Sequence, residues 1–223
     1  MFDKILIANR GEIAVRVIRT AKAMGYRTVA VYSEADRNAP HVLAADESVC
    51  IGPAPVGQSY LLAENILHAA ELTGAQAIHP GYGFLSENSA FANACEAKSI
   101  EFIGPPSSAI ELMGSKRLSK IAMIKAGVPC IKGYEGEDQS VENLVQQAKE
   151  IGFPIMVKAS AGGGGRGMRL VFEESELEAQ IKTARSEAEN AFGSGELILE
   201  KAVIKPRHIE IQVLADNHGN EYG

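Results

Sequence analysis

Apolar and polar positions change period several times along the chain, and each change marks an element. Lys4-Ile5-Leu6-Ile7-Ala8 is a short run, apolar after its lysine, the pattern of a strand covered on both faces. Ile13, Val17, Ala21 and Met24 follow at helical spacing, and Gly25 is placed to close that helix. Thr28 to Tyr32 predicts a second strand, residues 60–73 a helix stopped by Gly74, and Gln76-Ala77-Ile78 a third strand. A helix over 90–97 and a strand over 100–103 complete the series. Strands and helices alternating at this length build a parallel sheet with right-handed crossovers, so the first half is expected to be α/β.

The pattern changes at Gly104-Pro105-Pro106. Two helical stretches follow, 108–113 and 116–126, punctuated by Gly127 and Pro129. Then come a helix over 141–151, a strand over 154–159, a glycine-rich turn and a strand over 168–171. A long polar helix over 173–191 and a strand over 197–199 end this stretch, which predicts an α+β unit with an antiparallel sheet. In 207–215, Ile209, Ile211 and Val213 alternate with His208, Glu210 and Gln212, so a strand with one apolar and one polar face is expected. Residues 216–220 have turn chemistry, and Glu221-Tyr222 begins a return arm that meets Gly223. A hairpin without its second arm points to a longer protein.

Composition narrows the function. Of 223 residues, 46% are apolar and 22% charged, the balance of a soluble globular domain. The net charge of −6, the 6% aromatic content and the lack of a polybasic block argue against nucleic acid as a partner. No apolar run approaches ~18 residues and the N-terminus lacks a signal-peptide pattern, so no membrane role is expected. The expected location is cytoplasmic, or the mitochondrial matrix if a transit peptide has been removed. Cys50, Cys95 and Cys130 fit neither a zinc site nor a redox pair and read as free thiols.

The strongest chemical signal is Lys158-Ala159-Ser160-Ala161-Gly162-Gly163-Gly164-Gly165-Arg166-Gly167-Met168. Successive glycine N–H groups form an anion-binding nest, and Lys158 adds positive charge at a strand end. Met168 stands where a Walker A loop needs its lysine, and the loop joins two strands rather than opening a helix, so neither standard nucleotide fingerprint fits. A hairpin over a nucleotide's phosphates remains. Lys116 stands near a helix start, where anions are favoured, although taken alone a solvated helix lysine is the stronger reading. Glu200-Lys201-Ala202-Val203 follows an apolar strand and suits adenine packing or a plain strand end. The run from His79 to Asn88 lies after a parallel strand, where open α/β sheets bind ligands; its alternative is a packed turn with a helix cap at Ser86 or Asn88. No second ligand stands at metal spacing from His79.

Together these segments resemble biotin carboxylase, the ATP-grasp component of biotin-dependent carboxylases. The resemblance is carried by Ile5–Ala14, Tyr32–Asp36, His79–Asn88, Met113-Gly114-Ser115-Lys116, Lys158–Arg169, Glu200-Lys201 and Pro206–Glu210, in family order from end to end. Residues 51–55 and 136–140 look most like the α subunits of acyl-CoA carboxylases, particularly the methylcrotonyl-CoA type.

The resemblance implies a Rossmann-like pre-ATP-grasp domain over 1–112 and the first part of an ATP-grasp domain over 113–223, with a lid over 131–203. It implies that ATP and bicarbonate form carboxyphosphate, which carboxylates biotin on a carrier domain, with magnesium or manganese as the metal. Lys116, Lys158, Gly164 and Gly165 would hold phosphates; Glu200, Lys201, Ala202 and Val203 would border the adenine, with His208 nearby. Tyr82, Gly83 and Glu87 would lie near biotin and bicarbonate. Arg16 and Arg19 resemble the family's homodimer contact, and a biotin carboxyl carrier domain and a carboxyltransferase subunit are the implied partners. The family's magnesium-binding glutamates, bicarbonate site and catalytic arginine belong to a following segment, so neither metal ligands nor a catalytic residue are assigned and this length of chain is expected to be inactive alone. The competing readings are another ATP-grasp carboxylate–amine ligase and a non-catalytic folding or dimerisation fragment.

Overall fold

The apolar run at the start becomes β1 (Lys4–Ile7), the centre of a parallel sheet. The computed structural model describes residues 2–163, 167–216 and 218–223. The chain divides into two compact units, Met1–Ser115 and Lys116–Gly223.

In the first unit, α1 (Gly11–Ala23), β2 (Arg27–Tyr32), α2 (Pro40–Ala44), β3 (Glu47–Cys50) and α3 (Ala63–Thr73) follow β1. Then come β4 (Ala77–His79), α4 (Ser89–Ala97), β5 (Glu101–Phe102) and α5 (Ser107–Gly114). The five strands run parallel in the order β3-β2-β1-β4-β5. Because β1 is covered on both sides, alternate residues enter different cores. Ile5 and Ile7 join Ala14, Ile18 and Ala21 of α1, whereas Leu6 and Ala8 join Ile66, Leu67 and Ala70 of α3 and Phe91 of α4. The chain order reverses between β1 and β4, so the loops after these two strands flank the switch point where such sheets offer a crevice.

The second unit contains α6 (Lys116–Lys125), β6 (Gly133–Tyr134), α7 (Val141–Ile151), β7 (Ile155–Ala159), β8 (Met168–Val171), α8 (Glu174–Phe192) and β9 (Leu197–Lys201). Its sheet is antiparallel, ordered β6-β9-β7-β8. Ile155, Val157, Leu197 and Leu199 pack with Leu144 and Ala148 of α7 and Leu177, Ile181 and Ala184 of α8. That assignment leaves Met156, Lys158, Ile198 and Glu200 on the opposite face.

Three differences from the sequence expectation have physical causes. The strand β3 and the helix α2 were not foreseen, because β3 is an edge strand with alternating half-buried and exposed residues. The two-residue β6 is too short to leave a pattern. The expected strand over 207–215 is reduced to β10 (Leu214–Ala215), which pairs with β11 (Glu221–Tyr222) in a small hairpin. Residues 207–213 are exposed and have no strand partner among the described residues, and alternation without a ladder does not hold a strand. Among the described residues no helix is long and apolar enough to cross a membrane.

Candidate functional site

In the second unit the antiparallel register sets the site. Lys158 pairs with Ile198 and Glu200 with Met156, so Lys158 and Glu200 are diagonal neighbours on the face that α7 and α8 do not cover. Lys158 Nζ donates to Glu200 Oε2. The other carboxylate oxygen accepts from Lys120 Nζ at 3.0 Å, and Lys120 is only 7% exposed. Lys120 Nζ also faces the buried Oε2 of Glu135 at 3.9 Å. Burial pushes the Glu200 carboxyl upward, but the bonds from Lys158 and Lys120 outweigh it and hold the group below its ordinary value.

The start of α6 is tied to the end of β7. Lys116 N–H donates to Ser160 O at 2.8 Å, and Arg117 N–H to Ser160 Oγ at 3.3 Å. Arg117 is anchored further by Glu196 Oε1 at 2.7 Å and by the Glu135 carbonyl at 3.3 Å. These bonds bring Lys116 beside the glycine loop, where its Nζ donates to Gly162 O. Lys116 thus sits against a neutral carbonyl near the Lys158 charge. Burial, and then repulsion from Lys158, lower its pKa. An anion placed between the two ammonium groups relieves both penalties.

Among the sequence-derived candidates, the structure brings together Lys116, Lys158 and Glu200. Lys201 follows on β9, but its Nζ turns to Phe153 O, and Ala202 N–H donates to Pro154 O at 3.0 Å. Val203 is exposed, and the exposed His208 lies 3.2 Å from Glu210 Oε2. Gly164 and Gly165 lie outside the described residues. Lys120, Arg117 and Glu135 were missed. A signal existed for Lys120, four residues after Lys116 and therefore on the same helix face. Among the described residues no group of three or more His, Cys, Asp or Glu side chains could hold a metal ion.

In the first unit, Tyr82, Gly83 and Glu87 are all exposed and follow β4. Asn88 caps α4, its Oδ1 accepting from Phe91 N–H at 2.8 Å, so the packed-cap reading is satisfied at this end of the run. Residues 9–13 and 82–84 line a crevice of about 410 Å³ beside the switch point. Arg16 and Arg19 are exposed on α1, and Arg16 lines a neighbouring groove of about 380 Å³ with His79 and Tyr82. Burial lowers the pKa of His79, and its Nδ1 accepts from Gly81 N–H at 3.0 Å.

Residues 1–110 match the family "Biotin carboxylase, N-terminal domain", and residues 115–222 match "Carbamoyl-phosphate synthase L chain, ATP binding domain". The chain is 59% identical over 217 residues to the methylcrotonoyl-CoA carboxylase subunit alpha of Dictyostelium discoideum, covering 97% of this chain and 31% of that protein. It is 54% identical over 221 residues to the biotin carboxylase of Haemophilus influenzae, covering 99% of this chain and 49% of that protein. The chain therefore spans from about a third to about half of the length of these curated relatives. A biotin carboxylase–β-γ-ATP complex from Campylobacter jejuni superposes with a TM-score of 0.96 at 50% identity, covering 99% of this chain and 50% of that one. The biotin carboxylase domain dimer of Hydrogenobacter thermophilus 2-oxoglutarate carboxylase, in complex with MgADP, ADP and bicarbonate, gives 0.95 at 53% identity, covering 99% and 49%. With both units matched in family order, and with relatives at this identity across nearly its whole length, the chain belongs to the biotin carboxylase family, whose N-terminal and ATP-binding domains it carries.

Proposed function

We propose that this chain supplies the N-terminal and nucleotide-holding parts of the biotin carboxylase of a biotin-dependent acyl-CoA carboxylase. In that reaction a bicarbonate oxygen attacks the γ-phosphorus of ATP and ADP leaves. The resulting carboxyphosphate releases CO₂ and phosphate, and the biotin ureido nitrogen loses its proton as it bonds to the CO₂ carbon. The observation that carries the reading is the pair Lys116 and Lys158: two neighbouring ammonium groups beside a glycine-rich loop, where an anion lowers the energy of both.

On this reading Lys116 and Lys158 hold the phosphates, helped by the backbone of Gly164 and Gly165. Lys158 exchanges its Glu200 partner for phosphate oxygens when nucleotide arrives. Glu200, Lys201, Ala202 and Val203 border the adenine, with His208 close by. Phosphoryl transfer of this type depends on positioning and charge neutralisation, which these residues serve. Glu200 and Glu135 both face Lys120; magnesium, whose ligands the family resemblance places in a following segment, would offset the charge of the nucleotide's phosphates. The proposed domains are residues 1–112 and 113–223, with 131–203 as a lid. Tyr82, Gly83 and Glu87 face the biotin and bicarbonate side. Arg16 and Arg19 lie at a homodimer contact, and a biotin carboxyl carrier domain and a carboxyltransferase are the partners.

Calorimetric titration of Mg-ATP into the 223-residue chain tests the reading. Heat is expected for the parent chain and its loss for Lys158→Ala. No heat up to millimolar nucleotide would overturn the assignment and favour a folding or dimerisation role.

A further inference from the structure

The backbone around Tyr82 is held more tightly than an exposed loop requires. Asn9, 2% exposed, donates from its side-chain amide to Pro80 O and to Tyr82 O, both at 2.9 Å. Its Oδ1 is used as well, accepting from Arg10 N–H at 2.9 Å. Gly81, at φ +66°, is seated so closely on this amide that a Cβ there would lie 2.7 Å from Asn9 Nδ2 and 2.9 Å from Ile13 Cγ2. The loop passes directly over Asn9.

The far side of the loop is fixed by stacking. Arg10 lies over the rings of Tyr60, at 5.4 Å, and Phe84, at 5.8 Å, while its Nη1 bonds to Asp36 Oδ2 at 3.2 Å. Tyr60 and Phe84 are stacked with centroids 5.2 Å apart and planes 7° from parallel. Tyr60 is locked by its hydroxyl, which donates to Asp36 at 2.7 Å and accepts from Ser33 N–H at 3.0 Å. Phe84 itself has φ +44°, a left-handed conformation that a bulky residue keeps only when its surroundings over-determine it. Between the two clamps Tyr82 points outward and is 61% exposed. A rigid frame around an unpacked ring is the arrangement of a binding platform rather than of a core turn.

We infer that Asn9 and Arg10 are positioning residues for the carboxyl acceptor: they fix the backbone on either side of Tyr82 so that its ring meets biotin at a set place. The inference rests on the acceptor-side reading of Tyr82 proposed above. Neither residue touches the reacting atoms. Loosening the frame therefore weakens acceptor binding and leaves nucleotide handling intact.

The test uses a biotin carboxylase that contains this chain, with Asn9→Ala and the more conservative Arg10→Lys, which keeps the ion pair to Asp36 but loses the planar stack. Expected is a rise of roughly tenfold in the KM for biotin, with the KM for ATP and kcat at saturating biotin within about twofold. Amide exchange supplies a second readout that does not need turnover. Exchange at Gly81 and Ser86 should accelerate about tenfold in Arg10→Lys while the amides of β1 and β2 do not change. Equal shifts in both KM values, or acceleration spread over the whole sheet, would reduce these residues to structural ones and overturn the inference. Tyr82→Ala tells two failures apart. If it leaves the KM for biotin unchanged, the acceptor reading of Tyr82 falls and the inference with it. If it raises that KM and the Asn9 and Arg10 variants do not, the inference alone falls.

Discussion

Replacing Lys120 by methionine removes a charge that water cannot replace. The ammonium is 7% exposed and is bonded to Glu200 Oε1 at 3.0 Å, with Glu135 Oε2 at 3.9 Å on its other side. Taking away one partner of a buried ion pair costs about 3–5 kcal/mol, because the remaining charge keeps its desolvation penalty without its counter-charge. Here Lys158 still holds the second oxygen of Glu200, so the lower end of that range applies, about 3 kcal/mol. At 1.36 kcal/mol per factor of ten, that is on the order of a hundredfold change in the unfolding equilibrium of the second unit. Amide exchange along β7 and β9 reads it directly, since both strands lie in the core of that unit. Lys120→Met combined with Glu200→Gln should recover part of the loss, giving a coupling energy of about 1–3 kcal/mol in the double-mutant cycle. A Lys120→Met effect within about 0.5 kcal/mol, or no coupling to Glu200, would refute the view that Lys120 is held by these carboxylates.

Further outcomes follow from single contacts. His41 is buried, with Nε2 bonded to Val31 O at 3.2 Å and Nδ1 accepting from Gly11 N–H at 3.4 Å; burial lowers its pKa, as it does that of His79. Burial disfavours the charged form of both rings in the folded protein, so their contribution to the first unit is complete above the ordinary imidazole value of about 6.5 and is lost as pH falls through the lower folded values; urea melts from pH 8 to 5 should show stability falling, and a flat profile would contradict the burial argument. Gly133→Ala should cost about 2 kcal/mol, because the new methyl group would collide with the backbone carbonyl of Leu199 and with Lys120 Nζ; exchange at β6 and β9 measures it. Tyr60→Phe takes the Tyr60 hydroxyl from Ser33 N–H and one of three bonds from Asp36, which keeps Arg10 and Ser33 Oγ, and should destabilise the first unit by about 1–2 kcal/mol in urea melts.

Strands buried on both faces were legible because consecutive residues carry the signal, as Ile5, Leu6 and Ile7 of β1 do. Helices α1 and α3 ended at glycines with positive φ, Gly25 at +89° and Gly74 at +65°. The edge strand β3 was hidden by its half-exposed alternation, and residues 207–213 showed that alternation predicts a strand only where a neighbour completes the ladder. In the site, Lys158 and Glu200 stood out as charges at the ends of apolar strands. Glu135 gave no sign, since its relevance comes only from lying across from Lys120 in space. The frame around Tyr82 was equally silent: Arg10, Asp36, Tyr60 and Phe84 come from four separate segments, and only the sheet topology brings their side chains into one cluster.

The two-faced sheet of the second unit makes the charge site a matter of parity. Lys158 and Glu200 face away from the helices only because each sits an odd number of positions from a core residue on its own strand. Inserting or deleting one residue inside β7 or β9 would send an ammonium or a carboxylate into the apolar core and turn a leucine or isoleucine outward, whereas a two-residue change would keep every side chain on its proper face. Length variation in this half of the molecule is thus confined to the turns, or to even steps within the strands.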